Sequence, residues 1–155
     1  MRPQHMPEPR PRRQAPPSEA SVSGPVGPFD VTLAASPCAP AAARAAITAW
    51  LAGRVSETML IDAQLLISEL VANSVRHADA PADAVIHVRA HVRADVLLLD
   101  VGDRGSRGSI ARRAPDLQRG GGFGLNLVET LSRRWGVRRD AGTHVWAELA
   151  PRASS

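Results

Sequence analysis

The chain has 155 residues and a mass of 16.5 kDa, enough for one domain around a single core, and 19 basic against 15 acidic residues give a formal charge of +4 and a pI near 11.1. Every basic residue is arginine; the absence of lysine excludes a P-loop and a eukaryotic-type protein kinase, both of which need a lysine on the phosphates. The arginines are interspersed with Asp and Glu, and only Phe29, Trp50, Phe123, Trp135 and Trp146 could stack on bases, which disfavours nucleic acid as a partner.

Residues 1–28 hold most of the prolines, four arginines and almost no large apolar residue, so a disordered tail is expected ahead of a domain spanning 29–150. That tail has no apolar h-region, and no run reaches the roughly 18 apolar residues of a membrane span. The expected location is therefore cytoplasmic, away from membranes. Residues 29–33 alternate as a first strand. Ser36-Pro37 reads as an N-cap with proline at N1, and Gly53 as a stop, bracketing a helix over 37–52. The lone Cys38 cannot form an internal disulfide, and no CxxC or HExxH spacing suggests zinc. Ser56-Glu57 opens a second, longer helix reaching about Ala78, with Leu60, Ile67, Val71, Val75 and Ala78 as its apolar stripe.

Strands follow at 84–92, with Ile86, Val88, Ala90 and Val92 on one face, and at 96–101, joined by Ala94-Asp95. Residues 104–121 are rich in charge and glycine without periodicity, as in a binding loop or lid. A third helix over 124–134 and a hairpin of 135–139 and 143–149 around Asp140-Ala141-Gly142 complete the chain. Tight strand–strand turns with grouped helices indicate an α+β fold: a two-layer sandwich with a mixed, mainly antiparallel sheet and helices on one face. Trp50, Trp135 and Trp146 are expected in packing roles.

Three clusters carry chemistry. On the second helix, Glu69 and Asn73 are four residues apart on one face, Arg76 extends that stripe and His77 flanks it. The stripe through Ile67, Val71 and Val75 lies roughly opposite. An amide oxygen suits Mg²⁺, and a neighbouring carboxylate can orient or deprotonate a hydroxyl; the bland alternative is a solvated helix face. At the end of the second hairpin strand, Asp103 followed by Gly105 puts a carboxylate at a pocket that a backbone can line closely, able to accept from an exocyclic amine. Asp100 is the competitor, but alternation sets it opposite Leu97, Leu99 and Val101, which favours Asp103. Last, Gly120 to Gly124 run straight into a helix whose free N–H groups and positive pole bind phosphate without lysine.

In this order the clusters resemble a known family. Leu66-Ile67-Ser68-Glu69-Leu70-Val71-Ala72-Asn73-Ser74-Val75-Arg76-His77-Ala78 is similar to the N box of GHKL (Bergerat-fold) ATPases. Val101-Gly102-Asp103-Arg104-Gly105 resembles the next box, and Gly122-Phe123-Gly124-Leu125-Asn126-Leu127-Val128 the glycine-rich lid hinge. The ending through Trp135-Gly136 and Gly142-Thr143-His144 is similar to the stand-alone bacterial branch that includes the anti-sigma-factor serine kinases. The resemblance covers about residues 29–150.

It implies ATP and Mg²⁺ as cofactors, with Asn73 holding the metal, Arg76 and His77 near the phosphates, and Glu69 as general base for a serine hydroxyl. Asp103 would receive the adenine amino group beside Gly105. Gly122, Gly124 and Leu125 would bring N–H groups to the phosphates, and residues 106–121 would form the lid. Thr143 lies where a hydroxyl commonly supports the adenine-binding acid, although relatives differ around Thr143-His144. The implied activity is serine/threonine phosphorylation of a STAS-type anti-sigma-factor antagonist, with a sigma factor as the other client and homodimerisation left open. A non-catalytic, ATP-dependent switch is the alternative.

Overall fold

The computed structural model describes residues 27–77, 83–103, 123–139 and 142–151. The expected tail (all but its last two residues), the expected lid and the turn residues 140 and 141 lie outside them. The elements are β1 (Phe29–Ala34), α1 (Ala39–Leu51), α2 (Glu57–His77), β2 (Val85–Arg93), β3 (Val96–Asp103), α3 (Phe123–Leu131), β4 (Arg134–Arg139) and β5 (Thr143–Leu149). The order is the expected one. The strands form one five-stranded sheet, β1-β2-β3-β5-β4. Every pairing among the described residues is antiparallel, so the expected antiparallel character is complete there.

Period-two alternation decides which side of the sheet is dry. Ile86, Val88 and Ala90 of β2, Leu97, Leu99 and Val101 of β3, and Ala147 and Leu149 of β5 are buried together with Ala43, Ile47 and Leu51 of α1 and Val128 of α3. This is the helix side of an α+β two-layer sandwich. The other side carries polar cross-strand rows: Arg89 pairs with Asp30 at 3.3 Å, Arg138 with Asp100 at 3.6 Å, and Arg134 with Glu148 at 3.6 Å. Trp146 is buried on this second side, beneath the Arg134 guanidinium and flat against Gly136. Trp50 packs on Phe29, at 5.4 Å between ring centroids, and so ties α1 to β1.

The helix ends show where local chemistry sufficed. Ser56 Oγ accepts from the Met59 N–H at 3.2 Å, the capping bond expected for α2. Gly53 has φ +73°, the left-handed stop expected after α1. The start of α1 differs: its N-cap is Cys38, which makes no side-chain cap bond, and the first-turn proline is Pro40 rather than Pro37. Ser36 instead closes a preceding turn, its carbonyl accepting from Ala39 N–H at 3.0 Å.

The buried face of α2 also differs. Met59, Ala63, Leu66, Ile67, Leu70 and Val71 are buried, whereas Leu60 and Val75 are only partly so, and Ala78 is outside the described residues. At about 100° per residue the true face is turned by roughly 70° from the expected stripe. Ile61 and Leu65 point outward, 49% and 47% exposed. By length and mean composition Glu57–Arg76 is apolar enough to cross a membrane, although polar residues interrupt its apolar run, and its buried residues pack in this core.

Candidate nucleotide site

The rotation of α2 changes the setting of its polar stripe. Glu69 and Asn73 do not lie opposite the buried face; they flank it, beside Leu66 and Leu70, and both are half-buried. An i, i+4 pair places their Cβ atoms about 5–6 Å apart. The Glu69 carboxylate makes no hydrogen bond or ion pair among the described residues. One turn on, the exposed Arg76 guanidinium donates to Asn73 Oδ1. His77 ends the helix as the last residue of α2. Ser68 is already engaged, donating to the Gln64 carbonyl at 2.7 Å and accepting from Arg44 at 3.3 Å, which links α1 to α2.

Asp103 comes from the sheet. β3 runs two residues further than expected, so Asp103 is its last residue and stays in phase with Leu97, Leu99 and Val101 on the helix side. It is paired in register with the buried Ile86, and its Oδ1 accepts from the backbone N–H of Thr143 at 3.2 Å. The support that the resemblance implied from a Thr143 hydroxyl is thus supplied by the main chain. Asp100 faces the other side of the sheet. It accepts from His144 Nδ1 at 2.8 Å and pairs with Arg138. Gly102 between the two acids is needed on that far side: a Cβ there would lie 2.2 Å from His144 Nδ1.

The third component is α3, which packs on α2 and β4. Gly124 and Leu125 form its first turn, which contains no acidic residue of its own to oppose the positive pole of the helix. Gly105, Gly122 and the segment 106–121 lie outside the described residues. Two features escaped the sequence reading. Asp62, only 7% exposed, sits two turns before Glu69 on the same edge of α2; its seven-residue spacing from Glu69 was the available signal. The Asp100–His144–Arg138 cluster could be found only through strand register.

The half-buried Glu69 and Asn73 thus lie on α2, Asp103 ends β3, and Gly124 and Leu125 open α3, and α2 packs against both of the other elements. Residues 33–149 match the model of the histidine kinase-like ATPase domain, well over half of the chain, and the protein belongs to that family. It is an ATP-binding regulatory protein of the GHKL type. No curated protein matches the chain.

Proposed function

We propose that the protein is a cytoplasmic serine/threonine kinase of the anti-sigma-factor type, acting with Mg²⁺ on a STAS-domain antagonist, with a sigma factor as its other client. The observation that carries this reading is the half-buried Glu69 carboxylate, one turn from Asn73 and without a hydrogen bond or ion pair among the described residues. A structural acid at such a seam is normally paired, because burial without a partner is costly. A general base must instead be open to its substrate.

The donor set fits a hard cation: Asn73 offers an amide oxygen that already engages a positive group, the Arg76 guanidinium. Mg²⁺ when bound supplies charge neutralisation across the phosphate oxygens. Asp103, oriented by Thr143 N–H, accepts from the adenine amino group and so prefers ATP to GTP. The N–H groups at the start of α3 take up phosphate charge. Glu69 accepts the proton of the acceptor hydroxyl as its oxygen bonds to the γ-phosphorus, and the bridging oxygen leaves with ADP. Catalysis then rests on placement and electrostatics.

The test is Glu69→Gln, examined by nucleotide titration and by transfer of labelled phosphate to a STAS protein encoded beside this chain. ATP binding should persist while transfer is lost. Transfer at the parental rate would remove Glu69 from this role. Tight ATP binding without any phosphorylated partner would select a non-catalytic switch instead.

A further inference from the structure

The Arg76 guanidinium is bonded to the oxygen that the proposed function assigns to a metal ion. Arg76 lies three residues beyond Asn73, within easy reach on one helix face. Glu69, the acid on the same stripe, lies seven residues back, about 10 Å along the axis, and makes no ion pair among the described residues. Within α2 the arginine's charge is therefore directed to Asn73 and not to Glu69. Only the oxygen of an amide can accept from a guanidinium, so the contact also sets which way the Asn73 amide faces.

We propose that Arg76 is a built-in place-holder for the metal: its guanidinium holds Asn73 Oδ1 in the empty protein and is released to the phosphate oxygens when nucleotide binds. The inference rests on the nucleotide-binding reading above and adds an exchange to it. Loading makes Asn73 Oδ1 available at the moment the phosphates gain a cation, so the pocket is not left with an uncompensated amide dipole or an idle arginine. Nucleotide without metal must still pull Arg76 away from Asn73, with nothing to take its place on that oxygen.

The distinguishing experiment is calorimetry on the full chain with ATP in EDTA and with Mg·ATP, using the parent, Asn73→Ala and Asn73→Ala/Arg76→Met. Alanine is compatible with the helix. If the guanidinium occupies Asn73 most of the time, Asn73→Ala binds metal-free ATP about three- to tenfold more tightly than the parent, while Mg·ATP binds more weakly. Adding Arg76→Met cancels the gain. Metal-free affinity that is unchanged or reduced in Asn73→Ala overturns the proposal, because an asparagine serving the metal alone contributes nothing in EDTA. A second readout needs no nucleotide: the Asn73 side-chain amide resonances in ¹⁵N spectra should move in Arg76→Met, and superimposable spectra overturn the contact itself. Failure of the parent to bind either form of ATP would strike the nucleotide reading first, and the spectra tell the two failures apart.

Discussion

Thr143 holds Asp103 through its backbone N–H, 3.2 Å from Oδ1, across the junction of β3 and β5. The acid to which the proposed function gives the adenine amine is thereby oriented by a group that every residue except proline possesses. Thr143→Ala should change ATP affinity by less than twofold, whereas Thr143→Pro should weaken it clearly. Calorimetry on both variants checks the ordering; equal losses would point to the hydroxyl.

Asp103→Asn keeps an oxygen for Thr143 N–H but removes the charged acceptor offered to an adenine amine. Affinity for ATP should fall about 10- to 100-fold, the range of a hydrogen bond to a charged group, with the melting temperature nearly unchanged. Affinity for GTP should fall far less. Parallel losses for both nucleotides would contradict the assignment.

Gly102→Ala brings a Cβ within 2.2–2.5 Å of the His144 ring, which is held in place by Asp100. The ring or the strand must move, at a cost of about 1–3 kcal/mol. In denaturant unfolding, Gly102→Ala/His144→Ala should recover part of that loss relative to the sum of the single variants. Simple additivity would show that the ring does not limit position 102.

The turned face of α2 can be tested by truncation. Leu66→Ala, at a fully buried position, should cost about 2–5 kcal/mol; Leu60→Ala, at the margin, should cost about 1 kcal/mol. Equal costs would restore the stripe read from spacing alone.

Ala94 lies in the β2–β3 turn with φ 50°, where an L side chain is strained. Ala94→Gly should stabilise the protein by about 0.5–1 kcal/mol in the same assay, since glycine accepts that conformation freely.

Local rules made much of this legible. The Ser56 cap, the Gly53 stop and the alternation of β2 and β3 each depend on a few neighbouring residues, and each is found where expected. What depends on partners distant in sequence was not legible. Two prolines compete to open α1, and Pro40 prevails while Ser36 closes a turn ahead of it. Leu66 and Leu70 belong to the core because α2 meets both α1 and the sheet, which widens the buried face beyond one stripe. In the candidate site, alternation separated Asp103 from Asp100, but what each acid touches followed only from pairing β3 with β5.

The seam position of Glu69 and Asn73 limits which substitutions α2 tolerates. A helix that carries its chemistry on a face remote from the core can exchange either side freely. In α2 the two functions share a border: Leu66 and Leu70 adjoin the acid and the amide, so a change of side-chain volume there displaces both. A substitution that alters the interior at Leu66 or Leu70 therefore also reaches the two residues to which the proposed function gives nucleotide handling.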